Sequence, residues 1–172
     1  TTSCLIFNIF YFLPLEAFPK NLHLRKTYAM QHQDLVQISE THGSPIYVYD
    51  AHIMEAQYNR LTNAFSAVPQ LRINYAVKAL SNLSVLKWMH HLGAGLDTVS
   101  IQEVQLGLEA GVPPKEIIFT PNGVSLSEIE EVATLGVQIN IDNLSVLEQF
   151  GTAHPTVPVC IRINPHIMAG DD

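Results

Sequence analysis

Residues 71–78, LRINYAVK, alternate between large apolar side chains and small or polar ones, and the run ends on a lysine. The apolar residues occupy the odd positions, so the even positions, including Lys78, lie on the opposite face of the predicted strand. Residues 137–142, VQINID, and 157–164, VPVCIRIN, show the same alternation. Each of these strands therefore has one apolar face and one face that carries polar side chains.

Strand patterns alternate with helical patterns along the chain from residue 46 onward. The predicted strands are 46–50, 71–78, 94–99, 116–120, 137–142 and 157–164. Apolar residues recur at helical spacing between them, and Ser100 with Glu103 has the spacing of a capping box at the start of one helix. This alternation with short connections predicts a parallel sheet, either doubly wound or closed as a barrel.

The strand faces distinguish these two arrangements. A doubly wound sheet has helices on both faces and needs apolar residues on both, whereas a barrel turns apolar side chains toward its helices and polar ones toward its inner rim. One-sided strands therefore favour a barrel. A complete (β/α)8 barrel has eight strands and about 250 residues, and the count from residue 71 is five strands. The predicted fold is α/β, an incomplete TIM-type barrel.

Composition limits the classes of function. The 172 residues are 47% hydrophobic and 15% charged, which is typical of a globular protein with a real core. A net charge of -7 without a cluster of lysine and arginine argues against nucleic acid as a partner. Cys4 and Cys160 have no CxxC or metal-ligand spacing, which argues against a disulfide framework and a metal site and favours a reducing cytoplasm.

The N-terminal residues do not follow the alternation of strands and helices. Residues 4–15, CLIFNIFYFLPL, are apolar but too short to span a bilayer. They are either a signal-peptide core or a leader outside the fold, and we favour the leader. Met30 opens a cleaner segment and is a candidate natural start. We therefore divide the chain into a non-homologous or disordered leader at 1–29, an N-terminal segment at 30–50 and a barrel part at 51–172.

Lys78, Asp97 and Arg162 all come at the carboxyl ends of predicted strands, where barrels of this type carry their chemistry. A low-dielectric pocket disfavours the charged form of a lysine, so the neutral amine can attack a carbonyl and form a Schiff base. A nearby carboxylate such as Asp97 has the opposite effect and can hold the lysine when it is released.

Simpler roles stay open. Lys78 can extend to solvent at a strand edge, and Asp97 can satisfy amides at a helix start. Arg162 can be an ion-pair partner of Asp97 or Asp142.

Five stretches stand in a fixed order and spacing: YAVKAL (75–80), GAGLDTVSIQE (93–103), TPNGVSLSEI (120–129), INIDNLSVLEQF (139–150) and IRINPHIMAG (161–170). Together they closely resemble the N-terminal part of the diaminopimelate decarboxylase family, over roughly residues 31–170. RINP followed by HIMAG favours this family over its ornithine and arginine decarboxylase relatives. The resemblance implies an alanine-racemase-like barrel joined to a β-domain, of which this chain has only residues 30–50. It also implies pyridoxal 5'-phosphate (PLP) as cofactor, a small amino acid as substrate and a homodimer at full length.

The resemblance also implies roles for the rim residues. Lys78 resembles the lysine that binds the cofactor covalently, Asp97 the aspartate near it and Arg162 the arginine beneath the cofactor ring. The implied reaction removes a carboxyl group from meso-2,6-diaminopimelate to give L-lysine and carbon dioxide, with the cofactor as electron sink. Leu80 and the pair Ile101-Gln102 depart from the asparagine and the two glycines of many relatives, which leaves the subgroup open. The phosphate loop and the substrate-binding residues are expected downstream, so we expect the 172-residue chain alone to be inactive and to bind PLP weakly.

Three other functions stay open on the same residues. The first is another PLP-dependent barrel decarboxylase, of the ornithine or arginine type, or an amino-acid racemase. The second is a non-catalytic homologue that regulates a partner enzyme, against which the retained Lys78, Asp97 and Arg162 argue. The third is an aldolase-type barrel with a Schiff-base lysine and no PLP. A visible cofactor absorbance that vanishes in Lys78→Ala would separate a PLP enzyme from this third class.

Overall fold

The computed structural model describes residues 7–8, 32–121 and 123–163. Most of the leader predicted at 1–29 lies outside these ranges, and so do Asn122 and the HIMAG residues of the last motif. The chain divides into two compact units, the first ending at Leu71 and the second beginning at Arg72. All three predicted rim residues therefore belong to the second unit.

Within the described residues, the first unit contains two short strands and two helices. Its elements are β1 (Phe7–Asn8), α1 (His32–His42), β2 (Ile46–Tyr47) and α2 (Ala51–Ala64). The two strands pair in parallel. Asp50 caps α2 by accepting hydrogen bonds from His52 N at 2.8 Å and Ile53 N at 3.4 Å. Neither helix has a buried residue.

The second unit is a sheet of five parallel strands in sequential order. The strands are β3 (Asn74–Ala76), β4 (Gly95–Thr98), β5 (Ile117–Phe119), β6 (Gln138–Ile141) and β7 (Val159–Ile161). The helices between them are α3 (Leu83–His91), α4 (Ile101–Glu109), α5 (Leu126–Thr134) and α6 (Leu144–Ala153). The structure therefore confirms the five barrel strands predicted from the sequence.

The helices of the second unit form one layer against one face of the sheet. Helix α3 contacts α4, α4 contacts α5, and α5 contacts α6. The strand side chains on that face are buried, and they are Leu96, Thr98, Ile117, Phe119, Ile139 and Ile141. Sequential strand order with helices on one side is the arrangement of a barrel and not of a doubly wound sheet. The prediction of a partial barrel is confirmed.

Side-chain caps connect the starts of α4 and α5. Ser100 Oγ accepts a hydrogen bond from Glu103 N at 3.3 Å, and Glu103 Oε2 accepts one from Val99 N at 2.9 Å. Ser100 therefore caps α4 as the sequence predicts, whereas the carboxylate of Glu103 reaches back to the amide of the residue before the cap and not to that of Ser100. Glu128 Oε1, on α5, accepts a hydrogen bond from Ile101 N at 3.0 Å. A carboxylate of one helix therefore satisfies an amide of the next and fixes the segment directly after β4.

Lys78 lies in a turn and not in a strand. The predicted strand 71–78 is shorter in the structure, because β3 is followed directly by a 3-10 turn at Val77–Ala79. Leu80 N closes this turn by donating to Val77 O at 3.1 Å. Val77 is buried and Lys78 is exposed. The predicted strand is therefore too long, and Lys78 belongs to the turn that follows it.

Helix α4 packs closely on the sheet at Gly107. A Cβ atom at this position would lie 2.7 Å from Leu96 Cδ1 and 3.1 Å from Ile117 Cδ1. Both of these side chains are fully buried, so neither can move away without disturbing the core. Gly151 of α6 offers a matched contrast, because a Cβ atom there would meet nothing within 4 Å.

We expect Gly107→Ala to lower the free energy of unfolding by about 1–3 kcal/mol, because overpacking outweighs the gain in helix propensity. The control, Gly151→Ala, is expected to raise it by about 0.5–1 kcal/mol, since only the propensity changes. Urea unfolding of both variants measures the difference. Equal stabilisation by the two substitutions would contradict the close packing of α4 on β4 and β5.

Candidate active site

The face of the sheet away from the helices carries polar side chains on three neighbouring strands. In register, Asp97 of β4 pairs with Ile118 of β5, and Ile118 pairs with Gln138 of β6. Thr120 and Asn140 lie two residues further along, so they share the face of Asp97. We call Asp97, Thr120 and Asn140 the polar row. It lies at the carboxyl ends of the strands, on the edge where such barrels carry their chemistry.

Hydrogen bonds join the polar row from β6 to β4. Asn140 Nδ2 donates to Thr120 Oγ1 at 3.0 Å, and Thr120 Oγ1 donates to Asp97 Oδ1 at 3.2 Å. Thr120 N also donates to Thr98 O at 2.8 Å, which extends the backbone ladder past β5 and holds Thr120 beside Asp97. Gln138 Nε2 approaches Asn140 Oδ1 at a longer 3.4 Å from an exposed position. The carboxylate of Asp97 is therefore held from the β5 side.

Chemistry sets the direction of these hydrogen bonds. The side-chain nitrogen of Asn140 can only donate, and an ionised carboxylate can only accept. The Thr120 hydroxyl therefore accepts from Asn140 and gives its single proton to Asp97. Hydrogen bonds to an ionised carboxylate are stronger than those between neutral groups, and all three side chains are partly buried. The polar row thus fixes one oxygen of Asp97 and leaves the other, Oδ2, outside this bond.

Lys78 follows the strand next to Asp97. Ala76, at the end of β3, pairs in register with Asp97, so Lys78 lies two residues beyond that pair on the same edge. Its side chain is exposed, and no described residue forms a hydrogen bond or ion pair with its amine. The low-dielectric pocket expected around Lys78 is not formed by the described residues. The reason is that β3 is an edge strand and has a neighbour, β4, on one side only. The structure presents Lys78 as an accessible primary amine.

Arg162 lies at the other edge of the sheet. It follows β7, and Arg162 N donates to Ile141 O at 2.9 Å. Its guanidinium Nη1 is 4.0 Å from Asp142 Oδ2, and both side chains are exposed. Such a pair contributes little to stability. Strands β5 and β6 separate Arg162 from Asp97, so the described structure does not bring Arg162 to Lys78 or Asp97.

The sheet is tightly packed two residue pairs before Ala76 and Asp97. Gly95 pairs there with Asn74. A Cβ atom at Gly95 would overlap Asn74 Oδ1 and lie 2.6 Å from Glu116 O, which is backbone. Only glycine fits this position without a shift of the main chain. The sheet below Asp97 therefore has no room for a further side chain, whereas Lys78 at the strand ends is exposed.

Thr120 and Asn140 were not among the residues predicted for the site. A signal for Asn140 exists in the sequence, since Gln138, Asn140 and Asp142 alternate with the apolar residues of that strand. Thr120 has a weaker signal, because it precedes Pro121 in a stretch typical of a turn. Only the register of the strands shows that Thr120 meets Asp97 and that Asn140 meets Thr120.

None of the helices in the described ranges is long and apolar enough to cross a membrane. Within the same ranges, no group of three or more histidine, cysteine, aspartate or glutamate side chains is placed to hold a metal ion.

Comparison with known proteins shows which family the chain resembles. The family model described as "Pyridoxal-dependent decarboxylase, pyridoxal binding domain" matches residues 52–172. A diaminopimelate decarboxylase from Methanothermobacter thermautotrophicus is 34% identical over 139 residues, which cover 80% of this chain and 32% of the relative. The chain thus spans about a third of the length of the curated relatives that it matches.

Solved structures show the same likeness. Diaminopimelate decarboxylase from Helicobacter pylori, complexed with L-lysine, matches with a TM-score of 0.62 and 33% identity, over 77% of this chain and 34% of that one. Lysine/ornithine decarboxylase from Vibrio vulnificus, complexed with putrescine, matches with a TM-score of 0.68 and 26% identity, over 78% of this chain and 38% of that one. Both agree with the parallel sheet and the partial barrel described above.

We expect Thr120→Val to lower the free energy of unfolding by about 1 kcal/mol, because it removes the proton given to Asp97 and the acceptor used by Asn140. Thr134→Val is the matched control. Its hydroxyl donates only to Glu131 O, in an exposed position, so its effect should stay within about 0.5 kcal/mol. Urea unfolding compares the two. Equal effects would mean that the polar row contributes nothing to the stability of the sheet.

Proposed function

The chain belongs to the pyridoxal-dependent decarboxylase family, and from this premise we propose that the complete protein converts meso-2,6-diaminopimelate to L-lysine and carbon dioxide. Relatives that carry the name diaminopimelate decarboxylase, at 34% and 36% identity, support the choice of substrate. The observation that carries the proposal is structural. An accessible amine, Lys78, follows the strand beside a carboxylate, Asp97, whose orientation is fixed by hydrogen bonds.

The residues of this chain fit one end of the cofactor. PLP bears an aldehyde, and the amine of Lys78 is accessible and has no hydrogen-bond or ion-pair partner among the described residues. We therefore propose Lys78 as the covalent attachment point. When bound, PLP supplies an electron sink for the electrons released as a bond to the substrate carbon breaks. The glycines in the described ranges show no phosphate cradle of the GxGxxG or Walker type, so we propose that the phosphate is held elsewhere in the complete protein.

Lys78 and Asp97 have complementary tasks in this proposal. An alkylammonium must lose a proton before its nitrogen can attack a carbonyl, so Lys78 Nζ must give up a proton during attachment. The nitrogen of Lys78 can carry a positive charge both when it is free and when it is joined to the cofactor, and a carboxylate on the neighbouring strand would balance that charge in either state. Asp97 would therefore hold Lys78 at the strand ends, in place for attachment, through the carboxylate oxygen that Thr120 does not bind.

Arg162 is the third residue of the proposed cofactor site. Its contact with Asp142 is long and exposed, so little free energy is needed to release its guanidinium toward the centre of a completed barrel. We also propose that residues 30–50 belong to a β-domain, that the complete protein is a homodimer and that it acts in the cytoplasm. The low cysteine count supports the last point.

A second candidate is decarboxylation of a smaller diamino acid. The likeness of this fold to the Vibrio vulnificus lysine/ornithine decarboxylase supports it. The described residues do not include a substrate-binding group that would separate the two substrates. The curated relatives favour diaminopimelate.

Covalent trapping tests the role of Lys78. The complete protein is incubated with PLP and reduced with borohydride, and the labelled peptide is mapped by mass spectrometry. We expect the label on Lys78 and not on the other exposed lysines of this unit, Lys87 and Lys115, because only Lys78 lies beside Asp97 at the strand ends. Lys78→Ala should lose the label, and Lys87→Ala should keep it. A label spread evenly over the three lysines would contradict the proposal.

Release of carbon dioxide tests the choice of substrate. The complete protein should decarboxylate meso-2,6-diaminopimelate in preference to lysine, ornithine and arginine, and the 172-residue chain assayed alone should show no turnover. Preference for ornithine or lysine would establish the second candidate instead. Turnover by the chain alone would show that the residues described here are sufficient for catalysis, against our expectation.

A further inference from the structure

We propose that Thr120 and Asn140 are positioning residues that orient Asp97, so that one carboxylate oxygen is committed to β5 and the other is directed to the edge where Lys78 lies. The inference rests on the proposed function, because it assigns Asp97 to the attachment of the cofactor at Lys78. It adds two residues whose action on Lys78 passes through Asp97. Neither of them lies on the strand next to Lys78.

Asp97 lies on a strand between the two strands that lead into Lys78 and Thr120. Its strand is β4, and the two neighbours are β3, which leads into Lys78, and β5, which leads into Thr120. Thr120 Oγ1 donates to Oδ1 at 3.2 Å. The side chain of Asp97 is thus held from one of its two neighbouring strands, and the amine that it is proposed to serve lies at the end of the other.

Asn140 sets the direction of the Thr120 hydroxyl. A threonine hydroxyl rotates freely and can present either its proton or its lone pairs to a neighbour. Asn140 Nδ2 supplies a proton to Thr120 Oγ1 at 3.0 Å, which occupies a lone pair and leaves the hydroxyl proton for Asp97. Asn140 therefore fixes the hydroxyl as a donor to Asp97. Chains of hydrogen bonds of this kind strengthen one another in a partly buried site.

Hydrogen bonds at the ends of β4 and β5 hold the backbone of Thr120 in place. Thr120 N donates to Thr98 O at 2.8 Å, and Thr98 Oγ1 donates to Ile118 O at 2.9 Å. Thr98 is fully buried on the helix face. These bonds hold the end of β5 against the end of β4, so the hydroxyl of Thr120 has little freedom to leave Asp97. Its hydrogen bond is therefore preorganised.

A double-mutant comparison in the complete protein tests the inference. The readout is the PLP concentration that half-saturates the borohydride-fixed label on Lys78, with thermal unfolding of every variant as a check on folding. Thr120→Val, which keeps the shape and removes the hydroxyl, should weaken attachment by about five- to tenfold, the size expected for one hydrogen bond to a charged group. Thr120→Ser keeps the hydroxyl and should restore attachment to within about twofold of the natural protein.

The Asp97→Ala background separates positioning from a general structural role. If Thr120 acts through Asp97, then Thr120→Val should cause no further loss once Asp97 is absent. Asn140→Ala should cause a smaller loss of about two- to threefold, and it too should vanish in that background, because the hydroxyl survives but its direction is no longer fixed. Thr134→Val, on the exposed end of α5, is the control and should change nothing.

Two outcomes would overturn the inference in distinguishable ways. An equal loss from Thr120→Val with and without Asp97 would show that Thr120 supports the sheet and does not position the carboxylate. An unchanged attachment in Asp97→Ala alone would remove Asp97 from the proposed site, and the failure would then lie in the proposed function. Loss in Asp97→Ala, rescue by Thr120→Ser and no further loss in the double variant would together establish the positioning role.

Discussion

One-sided burial of a parallel sheet is the constraint on which the rest of this structure depends. The helices cover the large apolar side chains of the central strands on one face, as the complete burial of Leu96, Ile117 and Ile139 shows. Because strand side chains alternate, the polar residues between them are left together on the other face. Asp97 and Asn140 share that face for this reason. The arrangement of the candidate site thus follows from how the core is built.

Hydrogen bonding then turns a set of polar residues into an oriented one. The carboxylate of Asp97, at the end of β4, can adopt several orientations. Fixing it in one of them costs conformational entropy. The hydroxyl of Thr120, held by the backbone bond to Thr98 and directed by Asn140, selects one of them. Lys78 has no such restraint among the described residues. The site therefore combines a fixed carboxylate with a free amine.

The sequence predicted the architecture well, because alternation and helix caps are local signals. The faces of Val77, Ile139 and Ile141 follow from their positions alone, and so does the helix cap at Ser100. Interactions between strands are harder to predict from the sequence, because they depend on the register of the sheet. The sequence left both Asp97 and Asp142 open as partners of Arg162, and the register of β6 and β7, which pairs Ile141 with Ile161, brings Asp142 to it. The enclosure of Lys78 depends on further strands and could not be predicted from its own.

A crystal structure of the complete protein grown with PLP tests the central claim most directly, namely that the polar face of this sheet is the cofactor site. The account predicts continuous density between Lys78 Nζ and the cofactor, with Thr120 still bonded to Asp97 Oδ1 and Asp97 Oδ2 facing the attachment point. Density joining the cofactor to a different lysine would contradict it. So would a cofactor bound on the helix face of the sheet.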